Sequence, residues 1–152
     1  MTTDNTTKYS LVPLAFVNLV ISRDLFAQRL ERAMRPIGLN MTSISLLSHF
    51  SRNPDRSCTI SELVNVMGIH QPGITKATGS MLERGWLRRE TNENDARIKH
   101  LFITDLGLAT LRKAQELTFP LLLEGFADLD AEELQQLTAT LDKIKNRLEA
   151  TR

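Results

Sequence analysis

The stretch that decides the fold runs from Gln71 to Thr104 and reads QPGITKATGSMLERGW, then LRRETNENDARIKHLFIT. In its first half Ile74, Ala77, Met81 and Leu82, with Thr78 among them, recur at helical spacing. Lys76, Gly79, Ser80 and Glu83 fall on the opposite side, flanked by Gly73 and Thr75. Pro72 suits the first helical position, where its missing N–H would have had no partner, and Gly85 ends the helix. Trp86 to Thr91 and Lys99 to Thr104 then read as strands, with Leu87, Leu101, Phe102 and Ile103 as anchors. The turn formers Asn92-Glu93-Asn94-Asp95-Ala96 join them. A short helix followed by such a hairpin predicts a winged helix-turn-helix. In that fold a helix enters the DNA major groove and a β-hairpin wing touches the flanking backbone or minor groove.

Working outward toward the N-terminus, Thr59-x-x-Glu62 has the form of a capping box for a helix over Ile60 to Met67, which stops at Gly68. Two short helices across a Gly-containing turn complete a helix-turn-helix. Ser57-Cys58 is expected to make a very short strand, and Asn53-Pro54-Asp55 a turn. A helix from Thr42 to about Arg52 would place Ile44, Leu46, Leu47 and Phe50 inward. The pattern from Tyr9 to Met34 is helical and nearly all-round apolar in its first half, and Pro36 with Gly38 end it. Met1 to Lys8 is polar and expected to fray.

Toward the C-terminus, Thr104-Asp105 caps a helix that runs to the apolar patch PLLLEGF, where Pro120 is expected to kink or break it. From Ala131 to about Glu149, Leu134, Leu137, Leu141, Ile144 and Leu148 recur at spacings of three and four, a narrow seam of the kind that packs against another helix. Fully burying each of these side chains contributes roughly 1.5–3 kcal/mol. So much apolar helix exceeds what the middle of the chain can cover. The simplest solution is a homodimer in which terminal helices of two chains interlock. The expected fold is mainly α with a small β-wing. Residues 1–37 and 108–152 form the dimerisation region, and 38–107 the winged unit.

Charge is distributed unevenly. The 152 residues carry a net charge of +1, made up of +2 over residues 1–40, +2 over 41–103 and −3 over 104–152. Nucleic acid would therefore meet the middle rather than the acidic end. Arg88, Arg89 and Lys99 bracket the hairpin tip and its Arg97, so the wing offers cations to a phosphate backbone. A solvated hairpin charge is the plainer reading of Arg97, as an exposed helical lysine is of Lys76. Gly73 and Gly79 each weaken a helix by about 1 kcal/mol relative to Ala, either because a groove wall comes close or because the loss is tolerated.

A single cysteine, Cys58, rules out an internal disulfide and fits a reducing cytoplasm. No secretory signal opens the chain, and Leu11 to Ile21, interrupted by Pro13 and Asn18, is too short to span a membrane and is expected to be buried in protein. His49, His70 and His100 lack metal-ligand spacing, and no cofactor is implied. His70 lies close enough to the groove-facing helix for a phosphate contact. No nucleophile elbow, Walker loop or paired metal motif supports an enzyme. The stronger rival to DNA binding is a winged helix used only for protein interaction, which would have no need of the wing cations.

Taken together, the run Gly68-Ile69-x-Gln71-Pro72 with Ile74-Thr75-Lys76, then Leu82-Glu83-Arg84-Gly85-Trp86-Leu87-x-Arg89, the wing Asn94-Asp95-x-Arg97, and the exit Leu101-x-Ile103-Thr104-x-x-Gly107 resemble the MarR family of bacterial transcriptional regulators. The resemblance covers nearly the whole chain, and the D-x-R wing followed by a strand and T-x-x-G is its most specific part. It implies a dimer that binds a palindromic double-stranded DNA operator, usually as a repressor, with no membrane involved. It also implies Arg97 in a minor groove, Asp95 orienting it, and Gln71, Thr75, Lys76 and Ser80, beside Gly73, facing bases or phosphates. Gly79 and Ser80 stand where larger polar or basic residues are frequent in the family. Release by a small anionic or aromatic effector is implied as well, with Arg23, Phe26, His49 and Phe50 in the segments expected to line its pocket. Thiol-switch members carry the reactive cysteine in the first helix, which has none here. Cys58 is accordingly expected to be buried and inert, although a place at a helix start would lower its pKa.

Overall fold

A computed structural model describes residues 2–151 except 93, 94 and 96, with side chains from residue 7 onward. Six α-helices and a two-stranded sheet follow one another: α1 (Thr2–Met34), a 3-10 turn (Arg35–Ile37), α2 (Met41–Ser51), α3 (Ile60–Met67), α4 (Gln71–Glu83), β1 (Leu87–Thr91), β2 (Lys99–Ile103), α5 (Asp105–Gly125) and α6 (Ala131–Glu149).

Local chemistry sets most of these boundaries. Asn40 accepts the Ser43 N–H at 2.9 Å to start α2. At α3 the capping box is complete: the Thr59 N–H donates to Glu62 Oε2 at 2.7 Å and the Glu62 N–H to Thr59 Oγ1 at 3.3 Å. Gly68 (φ 64°) closes α3 in the left-handed region. Helix α4 ends in a Schellman turn, with the Gly85 N–H on the Leu82 carbonyl at 3.0 Å, the Trp86 N–H on Met81 at 2.9 Å, and Gly85 at φ 72°. His70 rather than Gln71 is the N-cap of α4, so Pro72 sits one place further in than expected. Its absent N–H still falls among the free donors of the first turn.

Strands β1 and β2 pair antiparallel, from Leu87 opposite Ile103 to Thr91 opposite Lys99. Cys58 bridges to Leu101 on the other edge of β2, the short strand expected at Ser57-Cys58. Behind the sheet, Leu46, Leu47 and Phe50 of α2 pack with Leu63, Ile74, Met81 and Leu101 in one core. Phe102 is not a core anchor: pairing opposite Arg88 turns it to the outer face, where it is half-buried.

The exit Thr104-x-x-Gly107 is a structural joint. Thr104 Oγ1 donates to the Gly85 carbonyl at 2.6 Å and accepts the Gly107 N–H at 3.0 Å. A Cβ on Gly107 would collide with the Trp86 carbonyl oxygen and lie 2.9 Å from Ile103 Cγ1, so only glycine lets α5 approach the sheet.

The terminal helices differ from expectation in several respects. Helix α1 begins at Thr2 rather than Tyr9. Neither Pro13 nor Pro120 breaks its helix. Pro120 and Glu116, whose carbonyl loses its helical partner, are both exposed, so water can take the freed carbonyl. The segment from Leu11 to Ile21 is not buried within the chain: Leu11 is 53% and Ile21 52% exposed. The second half of α1 meets α5 and its C-cap, with the Phe26 ring stacked on Phe126 (centroids 5.1 Å apart) and packed on Gly125. An Arg29–Glu124 ion pair at 3.5 Å lies beside them. By length and mean hydropathy (1.5 over an 18-residue window), Thr7–Ile37 would suffice to cross a membrane, which the shorter apolar segment alone would not. The α6 seam is also largely uncovered, with Leu148 66% exposed.

Candidate nucleic-acid interface

Helix α4 has one committed side and one free side. Ile74, Thr78 and Met81 are buried, and Thr78 satisfies its hydroxyl on the Ile74 carbonyl at 2.9 Å. Gln71, Gly73, Thr75, Lys76 and Ser80 are all exposed, as the helical period predicts. The two glycines separate here. A Cβ on Gly73 would lie 3.0 Å from Ile69 Cγ2, a tight contact with the preceding turn. A Cβ on Gly79 would meet nothing within 4 Å. Among the described residues, no packing calls for a glycine at 79.

The wing arranges its charges less uniformly than the sequence suggests. Asp95 Oδ1 accepts the backbone N–H of Arg97 at 2.9 Å, and the Asp95 carbonyl accepts the Ile98 N–H at 3.0 Å. The carboxylate thus shapes the turn that carries Arg97. It forms no ion pair with the guanidinium among the described residues. Arg97 is exposed. Glu93, Asn94 and Ala96 lie outside the described residues.

Register divides the flanking cations between two faces. Arg88 shares a face with Phe102, its guanidinium 4.2 Å from the ring centroid, and it pairs with Glu90. Arg89 and Lys99 point to the other face, where Lys99 is half-buried and donates to Thr91 Oγ1 at 3.0 Å. Arg88 is therefore held within the chain, while Arg97 at the tip is left to solvent. His70, the N-cap of α4, is exposed. His100 lies half-buried between Ser57 Oγ at 3.1 Å and Asn92 Nδ2 at 3.3 Å.

The four residues expected to line an effector pocket do not come together. Arg23 is exposed and paired with Asp24 at 2.7 Å, and Phe26 is taken up by the α1–α5 contact. His49 and Phe50 instead line a cleft of 370 Å³ between the end of α2 and α3. Arg52 and Arg56 line it too. The sequence reading passes over them, since their only signal is a pair of cations around the Asn53-Pro54-Asp55 turn. Cys58, also in the lining, is buried, and desolvation raises its thiol pKa, with Glu62 adding to the rise. Its place before α3 does not lower it. The buried, poorly reactive thiol is the state the structure supports.

Residues 37–98 match the family model described as MarR family. Over 119 residues, 78% of this chain and 68% of the other, the sequence is 26% identical to the transcriptional repressor MprA of Escherichia coli. It is 27% identical over 124 residues, 82% of this chain and 73% of the other, to the HTH-type transcriptional repressor IacR of Pseudomonas putida. The fold is similar to that of a MarR family transcriptional regulator from Streptomyces coelicolor solved in complex with DNA. The TM-score is 0.77 at 22% identity, over 90% of each chain.

Proposed function

We propose that the chain, as a member of the MarR family of winged-helix proteins, is a DNA-binding transcriptional regulator, a repressor that works as a homodimer on a palindromic operator in the cytoplasm. The observation that carries this reading is helix α4, whose buried side is held in the core while Gln71, Thr75, Lys76 and Ser80 stand exposed on the other. Polar side chains of this length on a free helical face suit base edges and phosphates. Arg97 serves as the wing contact, and Asp95 acts by shaping its turn. Lys99 adds positive charge near the tip, and Arg88 braces the strand through Phe102 and Glu90.

The uncovered apolar helices support dimerisation. The N-terminal half of α1, Phe119 and Leu123 of α5 and the α6 seam form exposed apolar surface of the kind that marks an interface. In this reading residues 1–37 and 108–152 join two copies, and 38–107 of each reads one half-site. Half-sites would lie about 34–36 Å apart. A small effector that changes this spacing would release the DNA.

The test is binding of the purified chain to the DNA upstream of its own gene, by gel shift at fixed salt, with mass by size-exclusion chromatography and light scattering. A dimer that binds this DNA, and an Arg97→Ala dimer that binds it more weakly, are the expected results. A monomer, or an Arg97→Ala variant of unchanged affinity, would overturn the corresponding half of the reading.

A further inference from the structure

The tip of the wing is held by side chains as well as by its backbone. The Asn92 N–H donates to the Ile98 carbonyl at 3.0 Å and closes the loop. Inside it, Asn92 Oδ1 accepts the Asp95 N–H at 3.2 Å, and Asp95 Oδ1 accepts the Arg97 N–H at 2.9 Å. Asn92 is half-buried, and its amide also reaches back to the sheet, where Nδ2 lies 3.3 Å from His100 Nε2. His100 Nδ1 in turn lies 3.1 Å from Ser57 Oγ, next to the Cys58 that bridges to β2. A chain of hydrogen bonds thus runs from Ser57, in the body of the winged unit, through His100, Asn92 and Asp95 to the backbone of Arg97.

Every donor in this chain can be assigned. A backbone N–H only donates, so the Asn92 oxygen faces Asp95 and its NH2 group faces His100. An amide NH2 donates and does not accept. His100 Nε2 therefore carries the lone pair, which puts the proton of the neutral ring on Nδ1, where it donates to Ser57 Oγ. The other tautomer would set an N–H against the NH2 group. Turning the amide round to relieve that contact would set its NH2 against the Asp95 N–H instead. Glu90, opposite His100 on β1, and Glu62 on α3 carry charge on this side, yet among the described residues neither accepts a hydrogen bond from the ring.

We propose that His100 is a positioning residue for the wing: in its Nδ1–H tautomer it holds the Asn92 amide, and through Asn92 and Asp95 it fixes the turn that presents Arg97 to DNA. The last step rests on the DNA-binding reading, whereas the hold on the turn does not. Substitutions can separate the two ring nitrogens. Counted in bonds from Cβ, the terminal amide of Gln reaches as far as Nε2, and that of Asn only as far as Nδ1. His100→Gln can therefore still accept from Asn92, while His100→Asn serves Ser57 alone.

The experiment compares these variants in the full-length protein. In the unmodified chain the ring nitrogens of His100, read by NMR at about pH 8, where imidazole is ordinarily neutral, should show the proton on Nδ1. Backbone order parameters at Asp95 and Arg97 should fall in His100→Asn and not in His100→Gln. Affinity for the DNA upstream of its own gene, at fixed salt, should fall about three- to tenfold in His100→Asn, as loss of one hydrogen bond allows, and stay within about twofold in His100→Gln. In an Arg97→Ala background His100→Asn should cost no further affinity, because its effect passes through Arg97. A proton on Nε2, unchanged order at the tip in His100→Asn, or equal loss in both variants would each overturn the relay. An undiminished effect of His100→Asn in the Arg97→Ala background overturns the step to Arg97 alone. Failure of the unmodified chain to bind DNA overturns the proposed function, while the ring tautomer and the order of the tip still decide the relay.

Discussion

Replacing Gly79 by alanine tests the free face of α4 in a way that separates stability from binding. Gly79 sits inside α4 at a φ that is not left-handed, and an added Cβ would meet nothing within 4 Å. The methyl group therefore brings no clash, and the helix gains the propensity difference of about 1 kcal/mol, part of it through a less flexible unfolded chain. For a chain of this size that corresponds to a rise in Tm of about 2–4 °C, measured at one protein concentration because a dimer's Tm depends on it. Thr75, Lys76 and Ser80 surround this position on the exposed side, so the same methyl group would stand between the helix and a groove wall. Weaker operator binding, read by fluorescence anisotropy at fixed salt, should accompany the higher Tm. The opposite signs are the point of the experiment. A lower Tm would refute the open space at Gly79. A higher Tm with unchanged affinity would refute close approach to DNA and leave the glycine as a tolerated loss.

Three further outcomes are expected. Lys76→Ala should flatten the slope of log affinity against log salt by about one unit, as loss of a single phosphate contact requires. Gly107→Ala should lower the midpoint of urea unfolding by an amount equivalent to about 1–3 kcal/mol, since the new Cβ collides with the backbone of Trp86 and overpacks the joint. Cys58, whose pKa is raised by burial, should react slowly with a disulfide reagent in the native protein at neutral pH and fully once unfolded. The sign for stability follows. A folded pKa above the unfolded one contributes stability below the ordinary thiol pKa, and this is lost as pH rises through the folded value. A Cys58→Ser variant should show a smaller alkaline loss.

Much of the winged unit was legible in the sequence because its signals are local. Thr59 and Glu62 satisfy each other's free donors three residues apart, and Gly68 and Gly85 supply left-handed turns that other residues resist. The exposed side of α4 follows from helical period alone. The apolar excess of α1 and α6 could also be seen, because composition is a property of the chain. The expectation that this excess needs cover from a second copy agrees with the single chain, which leaves Leu11 to Ile21 exposed.

Other features depend on residues brought together from distant parts of the chain. Sheet register, set by turn and packing together, placed Arg88 on Phe102 and away from Lys99, so cations adjacent in sequence do not form one patch. The reason for Gly107 lies in the carbonyl of Trp86, which no spacing rule reveals. Phe26 went to Phe126 and His49 to Cys58, dividing a set of pocket residues that the sequence grouped by segment. Arg52 and Arg56 gained a shared cleft because α3 folds back beside the end of α2. The capped helices of the winged unit and its hairpin were legible because their causes lie within a few residues. Which faces meet, and which charges remain free for a partner, was decided by packing.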